Sequence, residues 1–346
     1  MAALPATTAD AMRLLRHPSR TPLDCQGAVV AIGNFDGVHR GHRSLLDKAQ
    51  QLAREAKAPW GMVTFEPHPR SYFAPDLPPF RLTPLRPKAQ LLQSLGLEVL
   101  WILRFNAALA NLTPQEFAQD VLAKGLKLRH VVVGENFRFG HKRAGDVQAL
   151  IDFGRQFGFA VTRMDMAAAP GQSQEIYSSS LVRDYLRAGN PTRAALLLGR
   201  YWEITGRVQH GAKRGRQLDM PTANIRLGRD TLRPAFGIYA ARVALDEGER
   251  FRWVPGVANL GISPMFNYEE PLLEVHLIDF AGDLYGRHLR VALIDYLRPE
   301  QNFDSLQDLK AQMAEDLRRA RATLAWEDWQ GSWPASAFLI PRPGEP

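Results

Sequence analysis

The residues Ala31–Leu46 read AIGNFDGVHRGHRSLL and give the strongest indication of the fold. An apolar strand leads into Gly33–Gly37, and a helix then begins around His39 and His42. Because the two histidines stand three positions apart, they lie on one helix face. They lie at the helix end whose free N–H groups and partial positive charge bind phosphate. The pattern predicts a site that holds a nucleoside triphosphate. Without the strand and glycines, the same two histidines would indicate only an ordinary surface pair.

The first half of the chain alternates between strand and helix patterns. Such alternation favours a parallel sheet with helices on both faces, an α/β Rossmann-like domain. Ligands of these sheets bind beyond the carboxyl ends of the strands, where the histidines fall. The predicted strands are Gly27–Phe35, Trp60–Phe65, Glu98–Leu103, His130–Gly134 and Phe159–Met164. The predicted helices are Gly41–Lys57, Pro87–Leu95, Thr113–Lys124 and Asp146–Phe157.

The second half has strand patterns without long helices between them. Short strands separated by turn residues predict a small antiparallel β-barrel, followed by a C-terminal helix at Ser305–Ala325. We therefore expect domains at 1–187 and 201–325, a linker at 188–200 and a tail at 326–346 of undetermined role. The predicted barrel strands are Trp202–Gln209, Thr222–Leu227, Gly237–Leu245, Arg252–Asn259, Leu272–Asp279 and His288–Tyr296.

Composition limits the partners. A length of 346 residues fits two domains, and a net charge of +7 favours an anionic partner, either a nucleotide or a nucleic acid. The basic residues are dispersed, so we expect no nucleic-acid partner. Cys25 is the single cysteine, which excludes an internal disulfide and a cysteine zinc site and fits a cytoplasmic location. We expect no signal peptide and no membrane partner.

Four further stretches accompany the histidine motif: Thr64–Pro69 (TFEPHP), Arg81–Pro84 (RLTP), Val132–Asp146 (VVGENFRFGHKRAGD) and Tyr177–Gly189 (YSSSLVRDYLRAG). With the G-x-F-D-x-x-H-x-G-H arrangement, they resemble the adenylyltransferase half of bacterial bifunctional riboflavin kinase/FAD synthetases. These are nucleotidyltransferases related to class I aminoacyl-tRNA synthetases. The resemblance implies that FMN is adenylylated by ATP to FAD, with release of pyrophosphate. The FMN phosphate is already ionised, so the site has to position phosphates and neutralise their charge.

The resemblance and the local chemistry together give the candidate residues of this first site. His39 and His42 are the catalytic candidates. The ATP-binding candidates are Gly33, Phe35, Asp36 and Gly41, with Ser178, Ser179 and Ser180 at a helix start and the cationic Arg183.

The resemblance also implies that Asn136 and His68 bind the flavin or nucleotide. The residues alone leave other roles open. Asn136 is also a typical turn residue, His68 also a rigid loop residue between prolines, and Asp36 also a helix cap.

The segment 206–227 reads GRVQHGAKRGRQLDMPTANIRL and carries a basic glycine loop before a strand. Backbone and basic side chains of such a loop bind polyphosphate. The candidates are Gly211, Lys213, Gly215 and Arg216. The hydroxyl of Thr222 and the amide oxygen of Asn224 are hard ligands that suit Mg²⁺. An ordinary basic hairpin is the alternative interpretation.

The stretches Gly256–Gly261 (GVANLG), Leu272–Phe280 (LLEVHLIDF) and Gly282–Val291 (GDLYGRHLRV) resemble the riboflavin kinase domain of the same family. The resemblance implies that Glu274 is the catalytic base. A ribityl alcohol is too weak an acid to ionise at neutral pH, so a positioned base helps the reaction. Glu274 otherwise reads as a strand residue on the solvent side.

The chain departs from the family pattern at three positions. Asp219 replaces a glycine, and Ser263 and Met265 replace an arginine and a threonine. We expect a bifunctional enzyme that makes FAD from riboflavin and uses ATP, riboflavin, FMN and Mg²⁺, with its oligomeric state open. The departures keep open an alternative, an FMN adenylyltransferase with a weak or non-catalytic flavin-binding barrel. A non-catalytic RNA- or nucleotide-binding regulator is a second alternative.

Overall fold

A computed structural model of the chain describes residues 12–165, 176–210, 220–246, 251–262 and 271–325. These residues form two units. The first takes in the described residues up to Leu77 and those of Leu85–Tyr177. The second takes in Pro78–Pro84 and the described residues from Ser178 onward.

The first unit is built on a six-stranded sheet of order β1-β4-β3-β2-β5-β6. Every neighbouring pair is parallel, which confirms the predicted α/β sheet. The short edge strand β1 was not predicted, since its sequence RLL is too short to show a period. The strands are β1 Arg13–Leu15, β2 Val29–Ile32, β3 Trp60–Glu66, β4 Val99–Arg104, β5 His130–Gly134 and β6 Ala160–Met164.

Several helices of this unit begin at residues whose side chains cap the helix N-terminus. Thr113 and Glu116 form a capping box, and Asp146 accepts a hydrogen bond from the Ala149 N–H. The helix after Thr113 continues as a π-helix at Phe117–Gly125. The helices are α1 Arg40–Ala56, α2 Pro69–Phe73, α3 Leu85–Ser94, α4 Ala107–Ala110, α5 Pro114–Glu116 and α6 Val147–Phe157.

The order of the strands places a binding crevice between β2 and β5. From β2 the chain moves outward through β3 and β4, and it then returns to the other side of β2 as β5. Ligands of open parallel sheets bind where the direction of winding reverses, outside the carboxyl ends of the strands. The histidine motif follows β2 directly, so the topology places it at this position.

The second unit contains a closed barrel of order β10-β11-β8-β7-β12-β9, whose neighbours are antiparallel. This confirms the predicted barrel. Burial alternates along the strands: Leu273 and Val275 are buried, whereas Glu274 and His276 are half-buried on the opposite face. The strands are β7 Glu203–Gln209, β8 Thr222–Arg226, β9 Gly237–Asp246, β10 Phe251–Gly261, β11 Leu272–Leu277 and β12 His288–Arg298.

Three longer helices belong to the second unit: α7 Ser179–Arg187, α8 Pro191–Leu198 and the C-terminal helix Leu306–Thr323. Ala195 of α8 packs in one core with Ala292 and Ile294 of the barrel and with Ala320 of the C-terminal helix. The segment 188–200, expected to be a linker with a short helix at Thr192–Leu198, contains α8, and this helix packs on the barrel.

A fragment that begins at Ser178 should unfold at a higher temperature than one that begins at Arg200. The shorter fragment lacks α7 and α8, and with them the Ala195 packing and the hydrogen bond from Thr192 Oγ1 to the Ile294 carbonyl (3.3 Å). Both fragments lack Pro78–Pro84, so thermal denaturation of the pair isolates the effect of the two helices. Equal melting temperatures would mean that these helices are dispensable for the barrel.

Candidate functional site

The loop between β2 and α1 has an unusual backbone. Phe35 and Val38 adopt φ angles of 47° and 43°, and Gly37 adopts 86°. Positive φ is rare for any side chain and a true outlier for a β-branched residue such as valine. Strain of this kind persists only where the surrounding structure enforces it, and it is concentrated at functional sites.

Lys88 is one residue that enforces this loop conformation. Its side chain is almost fully buried, and its Nζ donates to the Asn34 carbonyl at 2.6 Å. Thr64 Oγ1 donates to the same carbonyl at 3.3 Å. Sequence reasoning missed Lys88, although it left a signal. It lies on the same face of α3 as the buried Leu91 and Leu92, where a lysine is out of place.

The two histidines of the motif are locked against each other. His39 is the N-cap of α1, and its Nδ1 accepts a hydrogen bond from the His42 backbone N–H at 3.2 Å. The two imidazoles stack with centroids 3.6 Å apart, and the Phe35 ring lies 4.9 Å from that of His42. Because Nδ1 of His39 accepts, the neutral His39 ring carries its proton on Nε2. The pair thus offers donors at the positive end of a helix dipole.

Because Gly41 has no side chain, the His39 ring can lie close to its backbone. A Cβ at position 41 would lie 3.3 Å from His39 Nδ1 and 3.0 Å from the Tyr177 Cβ. Both distances are tighter than ordinary contacts. A side chain at this position would therefore have to push the His39 ring or Tyr177 aside by a few tenths of an ångström.

The remaining candidates of the first unit differ in exposure. Asp36 is buried at 2% exposure. His68 is also buried, and its Nδ1 accepts from the Arg70 N–H at 3.1 Å at the start of α2. Asn136 is exposed in the turn that follows β5. Since β5 lies beside β2, Asn136 and the histidine loop lie at the same end of neighbouring strands.

An aromatic cluster that the sequence did not reveal lies after β3 and β4. Tyr72 and Phe73 of α2 both make edge contacts with Phe105, at centroid distances of 5.3 and 5.6 Å. Phe65 makes a further edge contact with Phe105 at 6.1 Å. Phe73 is 68% exposed, which leaves a large apolar ring open to solvent at the ligand-binding edge of the sheet.

The serine–arginine block lies in the second unit. Ser178 is the N-cap of α7, and its Oγ accepts from the Leu181 N–H at 3.2 Å. Ser179 and Ser180 form the first turn of α7. Arg183 is buried, its Nε donates to the Phe80 carbonyl at 2.8 Å, and its guanidinium lies 5.4 Å from the Phe80 ring. A phosphate contact by Arg183 would have to use the terminal nitrogens.

A polar patch lies on the outer face of the barrel. Asn224 of β8 stands directly opposite Glu274 of β11, and Thr222 stands opposite His276. Directly opposed residues of antiparallel strands project to the same side, about 4.5–5.5 Å apart at Cβ. His276 Nδ1 is 3.0 Å from the Pro221 carbonyl, a contact that fixes the start of β8 next to Thr222. The structure therefore brings together the predicted base and both predicted metal ligands.

The same patch offers an oxygen atom that suits a metal ion. Asn224 is buried, and its Oδ1 has no hydrogen-bond partner among the described residues. A buried oxygen of this kind suits a hard cation such as Mg²⁺. In the described part of the chain, no group of three His, Cys, Asp or Glu residues could hold a metal ion.

Several candidates lie outside the described residues. These are the loop residues Gly211, Lys213, Gly215 and Arg216 and the departures Asp219, Ser263 and Met265.

Comparisons with known proteins match both halves of the chain. A family described as FAD synthetase matches residues 22–180, and one described as riboflavin kinase matches residues 198–324. A bifunctional riboflavin kinase/FMN adenylyltransferase of Escherichia coli strain K12 is 44% identical over 313 residues, 90% of this chain and 97% of that protein. The protein of the same name from Pseudomonas fluorescens is 41% identical, covering 91% of this chain and 98% of that protein.

One solved structure is similar along most of the chain. The crystal structure of a protein named macrolide-efflux protein from Streptococcus pneumoniae has a TM-score of 0.79 and 28% identity. The match covers 90% of this chain and 99% of that protein. Within the described ranges, the present chain has no helix that is long and apolar enough to cross a membrane.

Replacing Gly41 by alanine should slow FMN adenylylation by up to about tenfold, because its neighbours must move by a few tenths of an ångström and a misplacement of about 1 Å costs about 100-fold. The added methyl group would push on His39 and on Tyr177. Gly134→Ala is the matched control, because a Cβ there meets only Asn136 Oδ1 at an ordinary 3.6 Å. The measurement is the initial rate of FAD formation from FMN and ATP. Equal rates for the two variants would exclude packing at Gly41 as a determinant of the histidine geometry.

Proposed function

The chain belongs to the family of bifunctional riboflavin kinase/FMN adenylyltransferases, and on that premise we propose which residues carry its two reactions. The enzyme makes FAD from riboflavin and ATP. The barrel phosphorylates riboflavin to FMN, and the α/β domain then transfers AMP from a second ATP to FMN. The observation that carries the assignment is the locked pair His39 and His42 in one unit and the opposed pair Asn224 and Glu274 in the other.

In the adenylyl transfer, a phosphate oxygen of FMN attacks the α-phosphorus of ATP. The bond from that phosphorus to the oxygen bridging to the β-phosphate breaks, and pyrophosphate leaves. No proton has to be removed from the nucleophile, so the contribution of His39 and His42 is stabilisation of the negative charge that builds on the phosphates. The N–H groups at the start of α1 act in the same direction.

The proposal assigns the ATP phosphates of this step to the strained loop and the helix start after β2 in the first unit. The candidates of the second unit, at the start of α7, are assigned to ATP on the family resemblance alone. Arg183, whose Nε donates to the Phe80 carbonyl, contributes a delocalised positive charge. The residues assigned to ATP are Gly33, Phe35, Asp36, Gly41, Ser178, Ser179, Ser180 and Arg183.

The flavin of FMN fits the edge of the sheet beyond β3 and β5. The exposed Phe73 ring offers a flat apolar surface for a tricyclic aromatic system. The proposal assigns the polar contacts of the flavin to Asn136 and His68. The hydrogen bond from the Arg70 backbone N–H to His68 Nδ1 helps to fix the orientation of that imidazole.

In the kinase reaction, Glu274 removes the proton from the terminal ribityl hydroxyl as its oxygen attacks the γ-phosphorus. The bond to the oxygen bridging to the β-phosphate breaks, and ADP leaves. Mg²⁺, held by Thr222 and Asn224, would supply charge neutralisation on the ATP phosphates. The proposal assigns the remaining phosphate contacts to Gly211, Lys213, Gly215 and Arg216.

The non-catalytic barrel and the RNA-binding regulator are not favoured. The barrel carries the Glu274 carboxylate directly opposite Asn224, whose amide oxygen is buried. A non-catalytic protein has no need of this pair, whereas a kinase site does. The proposed partners are ATP, riboflavin and FMN, without a nucleic acid or a membrane, and the proposed location is the cytoplasm, where a chain with one cysteine needs no disulfide.

Two variants assayed with two substrates test the assignment. Glu274→Gln keeps the shape but cannot accept the ribityl proton, so riboflavin phosphorylation should fall by about 10²–10⁴ while FMN adenylylation is unchanged. His42→Ala should lower FMN adenylylation by about 10²–10³ and leave riboflavin phosphorylation unchanged. Flavins separated by chromatography give both rates for each variant.

In each variant, the reaction that should be unaffected serves as the folding control. Equal losses on both substrates in one variant would indicate a structural role for the replaced residue. If Glu274→Gln phosphorylates riboflavin at the normal rate, Glu274 is not the base. If His42→Ala makes FAD normally, His42 has no part in adenylyl transfer.

A further inference from the structure

The polar patch on the barrel extends past Glu274 to a third strand. Asn259 of β10 stands directly opposite Glu274, as Asn224 does on the other side. The three side chains therefore form one cross-strand row, with the carboxylate between two amides. Asparagine is disfavoured in the middle of strands, so its occurrence on both sides of a predicted base needs a cause.

Glu300 fixes the orientation of the Asn259 amide. The Asn259 side chain hydrogen-bonds the Glu300 carboxylate. A carboxylate only accepts, so the amide must use its nitrogen as the donor. Partial burial raises the pKa of Glu300, and the bond from Asn259 opposes that rise by favouring the ionised form. Gly261 makes the arrangement possible, because a Cβ at that position would collide with the Glu300 carboxylate.

An amide held by its nitrogen has only its oxygen left to offer. Asn259 Oδ1 is buried and has no hydrogen-bond partner in the part of the chain that the structure describes. Buried acceptors in native proteins are almost always satisfied, so this oxygen points to a missing donor. The other neighbours of Asn259 are the apolar Ile238 on β9 and Val257 along its own strand, which supply no donor. A hydroxyl group, which donates one hydrogen bond, suits this single acceptor.

We infer that Asn259 Oδ1 accepts a hydrogen bond from a secondary hydroxyl of the polyol chain of the flavin, and that Glu300 is the positioning residue that turns this oxygen toward the substrate. The inference rests on the proposed riboflavin kinase activity of the barrel. It assigns the two sides of Glu274 to the two substrates: the phosphate donor lies on the Asn224 side and the polyol lies on the Asn259 side. The attacking hydroxyl then lies beside the base that deprotonates it.

The test compares riboflavin with analogues that lack one secondary hydroxyl, the 2′-, 3′- and 4′-deoxyribityl flavins. The measurement is kcat/KM for phosphorylation by the full-length enzyme and by its Asn259→Leu variant. An analogue that lacks the bound hydroxyl leaves the buried Asn259 oxygen without a hydrogen bond, which is costly. The wild-type enzyme should therefore use one of the analogues about 10–100-fold less well than riboflavin. In Asn259→Leu that ratio should fall to nearly one, while the ratios for the other two analogues stay as in wild type.

Glu300→Gln provides a second variant. The glutamine amide can donate as well as accept, so the Asn259 amide can turn over and its oxygen is no longer held toward the substrate. The variant should raise the KM for riboflavin more than it lowers kcat, and it should weaken discrimination against the same analogue. If Asn259→Leu does not fold, this variant decides the question. Discrimination identical to wild type in a folded variant would overturn the inference.

Failure of the proposed function gives a different result. If wild-type enzyme does not phosphorylate riboflavin, the kinase assignment itself is wrong. If wild-type enzyme phosphorylates riboflavin and treats all three deoxy analogues alike, only the contact with Asn259 is wrong.

Discussion

The hydrogen bond from the His42 backbone N–H to His39 Nδ1 is the interaction on which the first site depends. It caps α1, and it also determines which nitrogen of His39 carries the proton. The stack of the two rings follows from the same bond, since it places His39 over the first turn of the helix. Gly41 has no side chain because that turn must pass against the ring. The strained loop before His39 is then held by the buried Lys88 through the Asn34 carbonyl.

The two sites differ because their nucleophiles differ. A phosphate monoester is ionised at neutral pH, so a site that adenylylates it needs donors and positive charge, which histidines and a helix start provide. An alcohol is not ionised, so a site that phosphorylates it needs a base. The barrel places Glu274 between Asn224 and Asn259 by strand register alone, without a loop or a helix end. Sites on regular strands hold their side chains in tightly defined positions.

Much of the fold could be predicted because the elements are long and periodic. The parallel strands β2–β6 and the barrel strands are apolar runs between turn residues, and both predicted architectures are confirmed. The strand β1 could not be predicted, since three residues show no period. The helix α8 was predicted from its sequence as a short helix within the linker. Its packing on the barrel could not be predicted, because the surface that covers its apolar face is formed by distant residues.

The candidate site was predictable where motifs are local and not where contacts join distant segments. The pair His39 and His42 is visible in one helical turn. Lys88 was missed because lysines are normally exposed, and only the tertiary structure shows that it reaches Asn34. Asn259 and Glu300 were missed because they are distant in sequence and meet only in the folded chain. The roles assigned to the site residues remain predictions.

The central claim is that one chain adds two different phosphates of ATP to riboflavin at two different sites. In the most direct measurement, the enzyme receives riboflavin, Mg²⁺ and ATP that is labelled either at the γ-phosphate or at the α-phosphate. The label is then followed into FMN and FAD. The account predicts that γ-label enters FMN first and then FAD, whereas α-label enters FAD only. If FAD acquires the α-label from ATP when FMN is supplied, but no γ-label enters any flavin when riboflavin is supplied, the account is contradicted and the barrel has no kinase activity.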